Sequence, residues 1–224
     1  MSKRKLIGLP IWNQGENSVG ATKPYLEYLN RFGSVVLLGP DTFIPELDLL
    51  VLPGGKDVFN GNKEEFSYMN SDNERFLEWF DANTLPKYIQ SKTPIYGICR
   101  GAQAIFRHFG MPLVQNIWWD HGYSKDESDL KAHSINYYGA FRAELKSNGY
   151  LDLPKQIESF HHQGLLANNI SSEFEILATD GYDPEGYRIV EFARHKSLPI
   201  IAQQGHPERS WGVLPEYLIN SLLK

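Results

Sequence analysis

Short apolar segments alternate with longer segments of helical period in the first half of the chain. The apolar segments have the length of buried strands, and the segments between them place apolar residues three and four positions apart, as amphipathic helices do. Strands are predicted at residues 6–11, 34–38, 47–52 and 94–98, and helices at 22–32, 72–90 and 101–109. This alternation is typical of an α/β domain with a mainly parallel sheet.

The second half of the chain is richer in strand patterns. Further strands are predicted at residues 134–138, 156–160, 174–178, 188–193 and 199–203, and a short helix at 215–223. Residues 120–131 mix charges with a glycine and are interpreted as an exposed loop rather than a linker. Because no repeat or linker divides the pattern, we expect one domain over residues 1–224.

Composition and charge narrow the class of protein. The sequence is 42% hydrophobic and 22% charged, as in globular domains, and its formal net charge is -5. No cluster of Lys and Arg indicates nucleic-acid binding, and no apolar run is long enough to span a membrane or to form a signal peptide. The single cysteine excludes an intrachain disulfide and suits a reducing compartment, so we expect a cytoplasmic protein with a small-molecule partner.

That cysteine, Cys99, lies between the predicted strand at 94–98 and the predicted helix at 101–109. Its neighbours form the motif G-I-C-R-G, and glycines on both sides of a nucleophile permit a sharp strand-to-helix turn that presents it. The N–H groups at the start of a helix can activate a thiol and stabilise an oxyanion. A free cysteine is more often an inert packing residue. This setting nevertheless favours a nucleophile, with the amide of Arg100 as one oxyanion donor.

A base for this thiol is predicted in the segment H-P-E at residues 206–208. The segment follows the predicted strand at 199–203, so in a parallel sheet it should emerge at the same carboxyl edge as Cys99. A cysteine nucleophile requires a histidine base, and the base requires a group that orients it. His206 and Glu208 have the spacing for these two roles. The tripeptide alone is weak evidence, but together with the cysteine motif it is strong.

A second glycine-rich turn, P-G-G-K-D, follows the predicted strand at 47–52. Where side chains are missing, backbone N–H groups can approach a ligand closely. We therefore assign Gly54 and Gly55 to the other half of the oxyanion hole, although the motif alone would be read as an ordinary tight turn. It is not a phosphate-binding loop, because the pattern G-x-x-x-x-G-K-[ST] is absent.

One further segment is S-F-H-H-Q at residues 159–163, and the H-P-E segment extends to Q-G-H-P-E at residues 204–208. With the two glycine-containing motifs these make four pieces, and both the pieces and their order resemble the class I glutamine amidotransferase-like superfamily. The arginine after the cysteine and the S-F-H-H-Q segment resemble the γ-glutamyl-γ-aminobutyrate hydrolase group, peptidase family C26. The resemblance implies a flavodoxin-like, three-layer α/β fold with helices on both faces of the sheet, and a Cys99–His206–Glu208 triad.

The resemblance also implies which residues contact the substrate. Gln103 would contact the γ-glutamyl moiety, and Ser159, His161 and Gln163 would bind its α-amino and α-carboxylate groups. The chemistry requires no metal or organic cofactor. We do not interpret the adjacent histidines at 161 and 162 as a metal site, because neighbouring histidines rarely bind one ion.

The predicted reaction is cleavage of a γ-glutamyl amide through a thioester on Cys99, which releases glutamate and an amine. A second hypothesis is a glutaminase component that supplies ammonia to a partner synthetase. A third is a regulatory protein that binds a γ-glutamyl metabolite without turnover. Gly205 replaces the aromatic residue that usually precedes the histidine in this family, so the identity of the amine stays open.

Overall fold

The computed structural model describes residues 4–15, 18–58, 72–115, 117, 132–158, 161–180, 188–210 and 212–224. The strands are β1 Leu6–Pro10, β2 Trp12–Gly15, β3 Ser18–Gly20, β4 Ser34–Leu38, β5 Leu49–Leu52, β6 Ile95–Ile98, β7 Ala132–Tyr137, β8 Gln156–Glu158, β9 Phe174–Asp180, β10 Val190–His195 and β11 Ile200–Gln203. The helices are α1 Lys23–Leu29, α2 Asp72–Asn83, α3 Leu85–Gln90, α4 Arg100–His108, α5 Gly139–Ser147, α6 Pro207–Ser210 and α7 Val213–Leu222, and a 3-10 turn covers Ala167–Asn169. In these parts of the chain, no helix has the length and apolarity needed to cross a membrane.

Nine of the described strands form one sheet, in the order β4-β1-β5-β6-β11-β10-β9-β7-β8. The first five strands in this order are mutually parallel, and the other four pair antiparallel. The predicted mainly parallel α/β fold is therefore confirmed, with an antiparallel extension on one side. β2 and β3 form a separate hairpin, which the apolar pattern did not predict.

Helices cover both faces of the sheet because its central strands are apolar on both sides. In β5, Leu49 and Val51 pack with residues of α1, α5 and α7, whereas Leu50 and Leu52 pack with residues of α2, α3 and α4. Every residue of β5 and β6 is buried. Parallel strands that are covered on both faces form continuous apolar runs rather than alternating ones. The three layers that the resemblance implied are present.

The helix predicted at residues 72–90 is two helices, so this prediction was wrong. α2 ends before Thr84 and α3 begins after it. Pro86 lies in the first turn of α3, where its missing N–H is tolerated, but it cannot continue the hydrogen-bond ladder of α2. The Thr84 hydroxyl at the break donates to the Pro40 carbonyl oxygen at 2.5 Å.

Other differences lie in the second half of the chain. α5 was not predicted, although its buried residues Phe141 and Leu145 are four positions apart, on one face of a helix. The strand predicted at residues 156–160 is β8 as far as Glu158, and its last two residues lie outside the described part of the chain.

α4 packs so closely on β5 that only glycine fits at position 101. A Cβ on Gly101 would lie 2.3 Å from the carbonyl oxygen of Leu52 and 2.6 Å from its Cβ. Gly101→Ala should therefore force the helix away from the strand. We expect it to lower the free energy of unfolding by about 1–3 kcal/mol, as overpacking does in other cores. Urea denaturation measures this loss.

Gly139→Ala is the matched control. Gly139 is the first residue of α5, and a Cβ there meets nothing within 4 Å. Because alanine favours helix formation more than glycine does, the free energy of unfolding should stay constant or rise by up to about 1 kcal/mol. Equal losses in the two variants would contradict the argument from close packing.

Candidate functional site

Cys99 lies in the turn between β6 and α4. Its φ of 51° and ψ of -106° are unfavourable for a residue that has a Cβ, so the turn is strained. Neighbouring backbone holds it on both sides. The Cys99 N–H donates to the Gln203 carbonyl oxygen of β11 at 2.8 Å, and the Cys99 carbonyl oxygen accepts the Gln103 N–H at 3.1 Å.

The two glycines of the motif are required by packing. A Cβ on Gly97 would lie 2.6 Å from Cδ1 of Ile105 and 2.7 Å from the carbonyl oxygen of Gly101. Gly101 itself contacts β5, as described above. With a side chain at either position, α4 could not begin directly after β6. The glycines thus bring the helix start to the cysteine.

Cys99, His206 and Glu208 lie together at the carboxyl edge of the parallel strands. β6 and β11 are parallel with Ile98 opposite Gln203, so the segments that follow both strands emerge side by side. His206 Nδ1 is 2.7 Å from Glu208 Oε1, and the ring also hydrogen-bonds the Cys99 side chain. All three residues are buried.

The environment of His206 favours its charged form. Burial opposes the charge, but hydrogen bonds to Cys99 and Glu208, together with the charges of these partners, raise the pKa of His206 to about 10. At neutral pH the ring is therefore an imidazolium, with Nδ1 directed to the Glu208 carboxylate and a second hydrogen bond to the Cys99 side chain. An adjacent imidazolium is the partner that stabilises a thiolate.

The glycine-rich turn after β5 borders these residues. A Cβ on Gly54 would lie 3.0 Å from Cε1 of His206 and 3.5 Å from Cβ of Cys99. The Gly54 N–H, however, donates to the hydroxyl of Tyr25 at 2.7 Å. This amide was predicted as an oxyanion donor, but here it is already engaged, which leaves Gly55 as the better candidate in this turn.

Tyr25 is a site residue that the sequence analysis missed. It lies on α1, and its hydroxyl accepts the Gly54 N–H and hydrogen-bonds Glu208. Burial raises the pKa of Tyr25 well above its usual value, and the charge of Glu208 adds to this effect. The hydroxyl therefore stays protonated and can donate a hydrogen bond to the Glu208 carboxylate. In the sequence, Tyr25 was only one of several apolar positions of a helix, with no motif around it.

Gln103 is buried next to the cysteine, and its side chain is held in one orientation. Its Nε2 donates to the Gln163 carbonyl oxygen at 2.9 Å and to Gln204 Oε1 at 3.2 Å. Both hydrogens of the amide are thus used. The Gln103 Oε1 is left to act as an acceptor.

Two side chains connect the turn after β5 to the segment at residues 161–166. Gln163 Oε1 accepts the Val58 N–H at 2.8 Å, and Gln163 Nε2 donates to the Val58 carbonyl oxygen at 3.1 Å. Nearby, His162 Nε2 lies 2.8 Å from Asp57 Oδ1. The Gln163 amide, predicted to bind substrate, is therefore occupied in fastening one loop to the other.

His161 is buried within this segment. Its Nδ1 lies 2.6 Å from the Gln163 carbonyl oxygen, and its Nε2 lies 4.0 Å from Oε1 of the fully buried Glu191. Glu191 was not predicted, since it lies within an apolar strand pattern. Ser159 lies outside the described residues. Within the described ranges, no group of three or more His, Cys, Asp and Glu could hold a metal ion.

Tyr25→Phe tests the hydrogen bonds around the glycine-rich turn. The change removes the hydroxyl and leaves the buried Gly54 N–H without its acceptor, while the ring still fills the same space. We expect the free energy of unfolding to fall by about 1–3 kcal/mol, the usual cost of an unsatisfied buried group. Urea denaturation at neutral pH measures the change.

Tyr28→Phe is the control from the same helix. The Tyr28 side chain is buried as well, but its hydroxyl has no hydrogen-bond partner among the described residues. Its removal should leave the free energy of unfolding constant or raise it. If both variants lose the same stability, the bond from Gly54 to Tyr25 contributes nothing.

The chain is similar to several known proteins. The glutamine amidotransferase-like protein YvdE of Lactococcus lactis is 24% identical over 220 residues, which cover 90% of this chain and 85% of that protein. A subunit of the glutamine-hydrolysing GMP synthase of Thermoplasma acidophilum is 29% identical over 163 residues, 72% of this chain and 64% of that protein. In fold, the chain is similar to the crystal structure of a glutamine amidotransferase of Thermotoga maritima, with a TM-score of 0.60, 13% identity and coverage of 99% of this chain and 85% of that one.

The family profile described as Glutamine amidotransferase class-I matches residues 77–224. This span begins after the glycine-rich turn and includes Cys99, His206 and Glu208. It also includes the whole antiparallel extension of the sheet. Since the match covers well over half of the sequence, this chain belongs to the class I glutamine amidotransferase family.

Proposed function

We propose that this protein hydrolyses the γ-glutamyl amide bond of glutamine or a glutamine-like compound, with Cys99 as the nucleophile. The observation that carries the proposal is the His206 ring, which lies between the Cys99 side chain and the Glu208 carboxylate. Membership of the amidotransferase family directs this chemistry to an amide. The strained turn at the start of α4 supplies an oxyanion site next to the sulfur.

The first half of the reaction forms a thioester. The Cys99 thiolate attacks the δ-carbonyl carbon, a C–S bond forms, and the carbonyl electron pair moves to oxygen. The backbone N–H groups of Arg100 and Gly55 donate to this oxyanion, and each well-placed donor contributes about 3 kcal/mol. The His206 imidazolium then gives its Nε2 proton to the leaving nitrogen. The C–N bond breaks, and the amine departs.

The second half regenerates the enzyme. Neutral His206 takes a proton from water, whose oxygen attacks the thioester carbonyl and forms a second oxyanion in the same site. When this intermediate collapses, the C–S bond breaks and Cys99 leaves as thiolate. Glutamate is released, and the thiolate again faces an imidazolium that Glu208 orients.

The γ-glutamyl half of the substrate is assigned to the residues around Gln103. The Gln103 Oε1 is the proposed acceptor for a hydrogen bond that the α-amino group of the substrate donates. Ser159 and His161 remain proposed partners of the α-amino and α-carboxylate groups. For Gln163 we propose an indirect role, because its side chain holds the backbone of Val58.

The leaving amine distinguishes two versions of this function. In the first, the protein is a free-standing hydrolase of the γ-glutamyl-γ-aminobutyrate hydrolase type, peptidase family C26. In the second, it supplies ammonia to a partner synthetase, a version favoured by its similarity to a GMP synthase subunit. A free-standing hydrolase turns over alone, whereas an ammonia donor requires its partner for full rate.

A panel of γ-glutamyl amides, glutamine included, tests the proposal and separates these versions. The purified protein should release glutamate from at least one amide, and Cys99→Ser should lower kcat by more than about 10³-fold. Isothermal titration should still detect substrate binding to this variant. Undiminished turnover by Cys99→Ser would place the nucleophile elsewhere.

If the isolated protein is nearly silent with every amide, labelling with a γ-glutamyl diazo analogue decides between the remaining cases. An adduct on Cys99 would support the ammonia donor. Absence of an adduct on a folded protein would refute both enzymatic versions and favour a binding protein.

The pKa of His206 provides a test that needs no substrate. Its ring should titrate near pH 10 in the wild type, and Cys99→Ser should lower this pKa because the negative partner is lost. NMR of protein labelled with ¹⁵N-histidine measures both values, with His206→Gln used to assign the signal. An identical pKa in the two proteins would contradict the proposed ion pair.

The raised pKa of His206 also makes the free energy of unfolding depend on pH. Since the pKa is raised on folding, the imidazolium stabilises the fold fully below the ordinary histidine value of about 6.5. This contribution is lost as the pH rises towards about 10. Cys99→Ser should therefore show a weaker decline of the unfolding free energy over this range than the wild type does.

A further inference from the structure

We propose that the side chain of Arg100 is a positioning residue, which holds the two halves of the oxyanion hole at a fixed distance from each other and from Cys99. The proposal rests on the proposed function, since an oxyanion hole has a role only if a tetrahedral intermediate forms on Cys99. Its basis is the juxtaposition of Arg100 with α2 on one side and with Gly55 on the other.

The guanidinium of Arg100 is anchored to α2 by two carboxylates. Arg100 Nη1 lies 2.7 Å from Asp81 Oδ2, and Nη2 lies 3.1 Å from Glu78 Oε1. The side chain is only 2% exposed. Asp81 and Glu78 are three positions apart and therefore share one face of α2. A buried charge with such partners is held in one place, because its removal from them would leave it desolvated and unpaired.

The same side chain packs under the glycine-rich turn. A Cβ on Gly55 would lie 3.0 Å from Cδ of Arg100 and 3.9 Å from its Nε. Leu77 of α2 borders this position too, with its Cδ1 at 3.3 Å. The backbone of Gly55 therefore rests on a surface that Arg100 and α2 form together.

Arg100 thus contributes to both proposed oxyanion donors. Its own backbone N–H is one of them, and its side chain supports the turn that carries the Gly55 N–H. Donors must be placed to within a fraction of an ångström to stabilise an oxyanion. The turn at Cys99 is strained, so its conformation depends on what surrounds it. The ion pairs between Arg100 and α2 can hold the two donors in place with this precision.

Arg107 offers an internal comparison. Its Nη1 lies 2.9 Å from Glu78 Oε2, so it belongs to the same ion-pair network. It lies about two helical turns further along α4, away from the nucleophile. Loss of Arg107 weakens the contact between α2 and α4 without touching the oxyanion hole. If Arg100 served stability alone, its substitution would leave kcat as little changed as the substitution of Arg107 does.

The experiment compares Arg100→Met and Asp81→Asn with Arg107→Met as the control, using the γ-glutamyl amide that the wild type hydrolyses best. We expect kcat to fall by about 10²–10³-fold in Arg100→Met and by about 10-fold in Asp81→Asn. KM should change by less than about threefold, because the γ-glutamyl contacts are retained. Arg107→Met should keep kcat within about twofold of the wild type.

Alkylation of Cys99 by iodoacetamide separates positioning from general damage to the site. This reaction forms no oxyanion, so its rate should stay within about twofold of the wild type in all three variants. Arg100→Lys keeps the charge and should restore part of the lost kcat. If Arg100→Met does not fold, the isosteric Asp81→Asn variant carries the test by itself.

Three results would overturn the proposal. One is a kcat for Arg100→Met and Asp81→Asn that equals the kcat of Arg107→Met. Another is a fall in the alkylation rate as large as the fall in kcat, which would mean that the nucleophile itself was lost. The third is a wild type that hydrolyses no amide and is not labelled by the diazo analogue, which would refute the proposed function and this proposal with it. An active wild type with unaffected variants would refute this proposal alone.

Discussion

The strained turn at Cys99 is the constraint on which the rest of the site depends. A residue with a Cβ adopts a φ of 51° only where its surroundings hold it there. Those surroundings are set by Gly97 and Gly101, which let α4 approach β6 and β5 at distances that no side chain would tolerate. The hydrogen bond from Cys99 to β11 fixes the turn from the other side. The packing of α4 on β5 and β6, together with the bond to β11, therefore maintains the conformation of this one residue.

Much of this arrangement could be predicted from the sequence because it follows from strand order and local motifs. An apolar segment followed by G-I-C-R-G indicates a strand, a turn and a helix, and a second apolar segment followed by H-P-E indicates another strand end. Parallel pairing of β6 and β11 brings these two ends together, although they are distant in the chain. The fold class was predicted on the same basis, since buried parallel strands have a recognisable apolar pattern.

The contacts made by helices could not be predicted in this way. Tyr25 on α1 and Asp81 on α2 occur in ordinary amphipathic patterns, and their roles arise only from how those helices pack against the strand ends. For the same reason, the sequence could not indicate that the Gly54 amide donates to the Tyr25 hydroxyl. The break at Thr84 was missed because apolar spacing continues across it, although Pro86 indicates that a new helix begins there.

The charged residues near Cys99 have two separate proposed roles. Arg100 and Arg107 face Glu78 and Asp81, so two cations meet two carboxylates and the group has no net charge when all are ionised. Arg100 is therefore poorly suited to stabilise an oxyanion through its guanidinium charge, which Asp81 neutralises at 2.7 Å. In the proposed reaction the positive charge is that of the His206 imidazolium, and the hydrogen bond and charge of Glu208 help to raise the pKa of this ring. In the proposed reaction, Arg100 fixes the position of the oxyanion donors and His206 supplies the charge. Because different residues have these two proposed roles, substitution of one can change the geometry of the proposed oxyanion hole without changing the proton transfer.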